Sequence, residues 1–148
     1  MIRFRPLDRI RDWHWIEKHI ECIPMADTKG IVALDRGTIV GAVVLDTWSH
    51  NSVQVHLGAT NPMVWRRGLH VEGMRYVFET CDRGIILGLT PASNRIAIRF
   101  NKHIGFKPVY RIRDGFRKGE DLILFEMRKE DCRYLNDANT RHDRRVAA

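Results

Sequence analysis

The sequence predicts a mixed α/β fold: a single sheet, mixed but mainly antiparallel, flanked by helices. Three observations predict it. Residues 31–34, 39–45 and 53–57 are β-rich runs separated by short polar turns, the pattern of an antiparallel meander. An amphipathic segment over 69–81 then leads into the continuous apolar run 85–89, so that a helix carries the chain to a strand covered on both faces, as in a β-α-β crossover. The chain has 148 residues, 44% hydrophobic and 29% charged, enough to fill one globular core. That composition excludes disordered and collagen-like classes.

Each element has its own justification. Residues 2–6 alternate apolar and basic side chains and end at Pro6, as a short strand does. From Asp8, a helix cap by type, the positions Ile10, Trp13, Ile16, Ile20 and Ile23 recur at three- and four-residue steps and predict a buried stripe ended by Pro24. His14 and His19, five residues apart, share no helix face and read as surface histidines. Asp35 and Gly37 supply turn chemistry for a hairpin, and 53–57 alternates with period two as its third strand. A loop over 58–67 opens the helix 69–81, with Val71, Met74, Val77 or Phe78, and Cys81 on one side. A further helix over 94–103 buries Ile96, Phe100 and Ile104 and stops at Gly105. Two strands, 108–113 and 121–127, flank a turn with Gly115 and Gly119. Residues 1–135 thus read as one domain, and 136–148 as a basic, flexible tail.

The chain carries 25 Lys and Arg against 18 Asp and Glu, a net charge of +7 that favours anionic partners without choosing among them. No helix-turn-helix, zinc-finger or RNP signature accompanies that charge, which ranks nucleic acid low among the partners. No apolar run approaches the roughly 20 residues of a membrane span, and residues 1–6 lack a secretory signal's apolar stretch. The expectation is a soluble cytoplasmic protein with no membrane partner. Cys22, Cys81 and Cys132 form no CxxC pair and no disulfide framework, and they read as spectator thiols. No metal site is expected.

Two segments carry the most chemistry. In 94–107, Asn94, Ala97 and the pair Gly105-Phe106 punctuate an amphipathic helix that ends in a Gly-Phe corner. In 65–72, Arg66, Arg67, Gly68, Leu69 and His70 lie between a strand and a helix, where free N–H groups, the positive end of a helix dipole and guanidinium groups make a pyrophosphate site. Both segments resemble the corresponding motifs of the GCN5-related N-acetyltransferase (GNAT) family. Arg67-Gly68 matches the Arg-Gly that commonly opens the family's phosphate loop, whereas His70 and Glu72 stand where the family has Gly and Gly or Ala.

The resemblance implies the acyl-CoA N-acyltransferase fold and an acetyl-CoA-dependent transfer of acetyl to a primary amine by direct attack in a ternary complex. Arg66, Arg67, Gly68, Leu69, His70, Asn94 and Asn101 would hold the cofactor. Leu57, Gly58 and Ala59 occupy the place of the family's bulged strand, which offers main-chain amides to the thioester and its pantetheine arm; a plain strand end reads equally well there. The acceptor must lose a proton to attack, and an exposed lysine-type amine has a pKa near 10.4. His56, on the strand before the loop, is the candidate base, against an outward polar residue as the plainer reading. Asn101 stands where many members have a Tyr that protonates the leaving thiolate; Asn can only hydrogen-bond the sulfur. Tyr110 is a remote substitute.

Acceptor choice is assigned to the first helix, the following 24–30 loop and the 115–119 turn. Trp13 falls on the core stripe, which leaves Trp15, Trp48 and Trp65 as surface candidates. The acceptor amine, on a small molecule or a protein, stays open, and so does the oligomeric state, a homodimer included. A competing reading is a catalytically divergent relative that binds CoA, or keeps only its shape, as a regulatory or interaction module.

Overall fold

The computed structural model describes residues 1–136. All of the expected tail except Asn136 lies outside the described residues. The chain forms two compact units, Met1–Arg83 and the residues from Gly84 onward.

In the first unit β1 (Ile2–Pro6), β2 (Lys29–Asp35), β3 (Thr38–Asp46) and β4 (Ser52–Ala59) pair in sequence order, each antiparallel to the next. The β2–β3 turn is tight because Arg36 and Gly37 both take positive φ, 51° and 82°, the backbone that matches strand twist in a two-residue hairpin. Side chains of directly opposed residues share a face. Val32 pairs with Ala42, and both lie with Val44 under α1 (Trp13–His19), in a core completed by Trp15, Ile16 and Ile20. After β4 come a short helix α2 (Met63–Arg66) and α3 (Leu69–Arg75), the latter continued by a π turn over Tyr76–Thr80. Val71, Met74, Val77 and Phe78 are buried, as the spacing predicts, together with Leu69, whereas Cys81, expected on the same side, lies past the π turn and is only half-buried.

The first helix differs from its sequence reading. It starts five residues after Asp8, whose Oδ1 instead accepts from the N–H groups of Ile10 and Arg11 in a local turn. Ile10 and Ile23 are 92% and 72% exposed, while Trp15, expected at the surface, is buried against the ring of His19. An ion pair sets the start: Arg5 of β1 donates to both oxygens of Asp12, at 2.7 and 2.8 Å, and the backbone N–H of Asp8 donates to the same carboxylate. The Arg5 hydrogen bonds hold the buried Asp12 carboxyl below the usual carboxylate range. This fixes where the helix begins and turns Ile10 outward.

The second unit holds β5 (Ile85–Pro91), β6 (Lys107–Arg117) and β7 (Glu120–Arg128), with β7 antiparallel to both others. Helix α4 (Arg95–His103) lies between β5 and β6 in sequence, and the chain closes through a 3-10 turn (Lys129–Asp131) and α5 (Arg133–Asn136). Ile86, Ile104, Phe106, Phe125, Met127, Cys132 and Leu135 are buried. Ile96 was assigned to the buried row but is 84% exposed. Counting back from Ile104 at helical steps reaches Asn101 or Phe100 and then Ala97, one position away from Ile96, so the inward stripe runs through these half-buried residues. No helix among the described residues is long and apolar enough to cross a membrane.

Candidate active site

The α1 face of the first unit's sheet ends in an open cavity of about 460 Å³ lined by Glu21, Cys22, Ile23 and Met25 on one side and by Asp46, Thr47, Gln54 and His56 on the other. The register explains the floor. Asp46 is opposite Gln54 and Val44 is opposite His56, so Asp46, Gln54 and His56 project from one face at the end of the β3–β4 pair that the 47–51 connection closes. The wall is the segment that leaves α1. Cys22 N–H donates to Ile20 O, and Thr28 ties the far end of the segment back through hydrogen bonds with Met25.

Within the floor, His56 Nε2 lies 3.0 Å from Asp46 Oδ2, with side chains only 18% and 5% exposed, and Thr47 donates its hydroxyl to Asp46 Oδ1. An ionised carboxylate only accepts, so the pairing selects the imidazole tautomer with its proton on Nε2. Nδ1, which hydrogen-bonds no described residue, is left with its lone pair. Cys22 shares the cavity. Burial first, and the Asp46 charge second, push its thiol up to about 11, so it is a thiol rather than a thiolate at neutral pH. The spectator reading of Cys22 agrees with that environment.

Asp46 escaped the sequence reading. It ends an apolar run and precedes Thr47, and only the hairpin register places it beside a histidine ten residues later. Gln54 was missed for the same reason, whereas Glu21 and Cys22 fall in the segment read as the end of the first helix, which was assigned to acceptor choice without naming them. The cavity wall does include Met25, from the segment assigned to acceptor choice, but it begins at Glu21.

The strand end is not bulged against β3. From Gly41 opposite Ala59 to Asp46 opposite Gln54 the register is unbroken, Leu57 and Gly58 included. Gly58 has a different reason to be glycine: a Cβ there would stand 2.5 Å from Ile20 Cγ1. The end of α1 therefore rests directly on the β4 backbone.

The expected phosphate turn contains α2, so it is more structured than a plain loop. Gly68 takes φ 89° as the residue before α3, a left-handed conformation natural to glycine. The helix ladder of α3 begins with Glu72 N–H donating to Gly68 O, so the amides of Leu69 and Val71 precede the first intrahelical bond. Arg66 and Arg67 are exposed beside them, and His70 lies half-buried with its ring edge-on to Trp65, centroids 6.1 Å apart. Two guanidinium groups and helix-start amides are a donor set that fits a pyrophosphate ester such as that of CoA. Glu72, in the same turn, opposes it.

In the second unit, Asn94 caps α4: its side-chain oxygen accepts from Ala97 N–H at 3.1 Å. Asn101 Nδ2 donates to the hydroxyl of the buried Thr90 on β5 at 3.0 Å. Both side chains are thus engaged in fastening α4, the first to its own backbone and the second to the strand.

No protein-family model matches the sequence, and no curated protein does. Solved structures match along nearly the whole chain. The spermidine/spermine N-acetyltransferase SpeG from Vibrio cholerae has a TM-score of 0.75 at 16% identity, covering 93% of this chain and 96% of that one. The ribosomal-protein-S18-alanine N-acetyltransferase from Escherichia coli gives 0.70 at 14% identity, over 86% and 94% of the two chains. A protein assigned to the GNAT family from Desulfovibrio desulfuricans gives 0.68 at 13%, over 86% and 99%. At such identities the shared property is architecture, and the chain carries the acyl-CoA N-acyltransferase fold of the GCN5-related N-acetyltransferases.

Proposed function

We propose that this protein is an acetyl-CoA-dependent N-acetyltransferase that transfers acetyl to a primary amine by direct attack in a ternary complex. The observation that carries the reading is the Asp46–His56 pair in the floor of an open cavity. The fold adds support, since the similar solved proteins named above acetylate amines as different as a polyamine and a protein's alanine.

Acetyl-CoA, when bound, supplies an activated acyl carbon and a thiolate leaving group. The rest falls to this chain. Arg66, Arg67 and the amides at the start of α3 hold the pyrophosphate. The acceptor enters as an ammonium ion and must become neutral; His56 takes its proton on Nδ1, and Asp46, already hydrogen-bonded to Nε2, stabilises the imidazolium that forms. General-base help of this kind is worth about 10²–10⁴-fold. The amine nitrogen bonds to the acyl carbon as the carbon–sulfur bond breaks. With Asn101 engaged at Thr90 and unable to act as an acid, the second proton, which the nitrogen sheds once the amide bond has formed, passes through water to the departing thiolate.

Calorimetry with acetyl-CoA and with desulfo-CoA, followed by turnover of an amine panel, tests the proposal. Saturable CoA binding together with acetylation supports it. CoA binding with no turnover on any amine would favour a divergent binding module, for which His70 and Glu72 in the phosphate turn are the specific signs. Binding of neither compound overturns both.

A further inference from the structure

We infer, building on the transferase reading, that Asp27 is a positioning residue: by holding Thr47 in a strained turn, it keeps the Asp46 carboxylate aimed at His56. The backbone of Thr47 takes φ 54°, and a β-branched residue is among the least suited to that left-handed region. Such a conformation persists where its neighbours fix it. Two hydrogen bonds do so here. The Thr47 hydroxyl donates to Asp46 Oδ1 at 3.1 Å, and the next backbone N–H, that of Trp48, donates to Asp27 Oδ2, also at 3.1 Å.

The second of these joins the two sides of the cavity. The β2–β3 ladder ends at Lys29 opposite Leu45; two residues before Lys29, the side chain of Asp27 spans to the chain that follows Asp46 and Thr47. Because the Trp48 N–H lies in the planar peptide unit that ψ of Thr47 orients, a carboxylate holding that N–H holds the turn itself. Asp27 has a fixed base from which to do this. Thr28 and Met25 exchange hydrogen bonds around it, and Arg9 donates to Met25 O. Trp48 is held as well, its ring edge-on to Tyr76 with centroids 6.3 Å apart and the Arg83 guanidinium 5.6 Å above it. Without Asp27 the peptide plane can turn, Thr47 relaxes to negative φ and its hydroxyl leaves Asp46 Oδ1. The carboxylate, whose terminal torsion is soft, then loses one of the two donors that fix its plane.

Two readouts test this: steady-state kinetics on an amine that the protein acetylates, and the ring ¹⁵N shifts of His56, which report its neutral tautomer with or without turnover. Asp27→Ala should lower kcat about tenfold, part of the about 10²–10⁴-fold that a general base supplies, and leave the acetyl-CoA KM in place. It should also convert the neutral ring from the Nε2–H tautomer to a mixture of both. Asp27→Asn retains an oxygen for the Trp48 N–H and should recover most of kcat together with the single tautomer. Thr47→Ala, which lacks the hydroxyl, should repeat the Asp27→Ala pattern. If Asp27→Ala changes only the acceptor KM, with kcat and tautomer as before, Asp27 merely supports the wall and the inference is overturned while the transferase reading stands. If no amine is acetylated by the unmodified protein, the transferase reading fails by itself; a single tautomer surviving in Asp27→Ala then overturns the positioning role, and a mixture upholds it.

Discussion

His56 and Asp46 illustrate what one contact does to the meaning of a residue. A histidine on an alternating strand is ordinarily an outward polar group, and the sequence alone left that reading open. The carboxylate 3.0 Å from Nε2 orients the ring as the proposed base requires. Replacing His56 with Gln should lower kcat at least about 10²-fold with little change in the acetyl-CoA KM; an unchanged kcat would remove His56 from the chemistry. Asp46→Asn should keep the fold but alter the pH profile of kcat, because an amide can present N–H to the ring and favour the other tautomer. Cys22 carries a separate prediction. With its thiol raised to about 11, alkylation at Cys22, followed by peptide mass spectrometry, should be slow at pH 8 and accelerate as the pH climbs toward that value. Fast labelling at pH 8 would reinstate a thiolate. What the sequence could not reveal at this scale was proximity: His56 was visible as a candidate, whereas Asp46 acquires its role only through a hairpin register.

Among elements, the placement of α1 decides the shape of the cavity, and two contacts set it. The first is the Arg5–Asp12 pair between β1 and the helix start. Arg5→Met should cost about 2–3 kcal/mol in urea denaturation by stranding a buried carboxylate. Since Asp12 has its folded pKa lowered, its contribution is complete above the ordinary unfolded value of about 3.9 and disappears as pH falls through the folded value. The stability gap between the unmodified protein and Asp12→Asn should therefore close in that acid range. The second contact is Gly58 under Ile20. Gly58→Ala, with its 2.5 Å clash, should cost about 1–3 kcal/mol and disturb acceptor kinetics more than CoA affinity. Strands and crossover order were legible in the sequence because periodicity and turn chemistry are local. The face of α1 was not: a long-range ion pair moved its start past Ile10, and Trp15 rather than Ile23 completed the core. Ile96 failed similarly, by one step of helix phase. The Asn94 cap was not read from the sequence, where Asn94 was assigned to the cofactor; the side chain's bond to Ala97 N–H appears only once the helix is built.

At the scale of the chain, charge is unevenly distributed. Residues 1–83 carry 11 basic and 10 acidic side chains, so the net +7 lies almost entirely beyond them. Between Asn94 and Arg113 there are six Lys and Arg and no Asp or Glu, and all six are exposed on α4 and β6. Neutralising Arg99, Arg111 and Arg113 to Gln should lower the salt needed for elution from a cation exchanger more than neutralising Arg3, Arg9 and Arg11 does. Equal shifts would mean that the excess acts as a diffuse field rather than a patch. Fold class, by contrast, was legible as a whole even at 13–16% identity to its structural neighbours, because element order and apolar patterning tolerate nearly complete replacement of individual side chains.

The seat of Ile20 on Gly58 has an evolutionary corollary. Chain beyond that anchor, from Glu21 to Met25, contributes one side of the proposed acceptor cavity, while the Asp46–His56 pair belongs to a hairpin encoded separately. Insertions or deletions within that short connection could retune which amines enter without perturbing the imidazole. Diversification of such a protein would then proceed by loop replacement around an unaltered reactive centre.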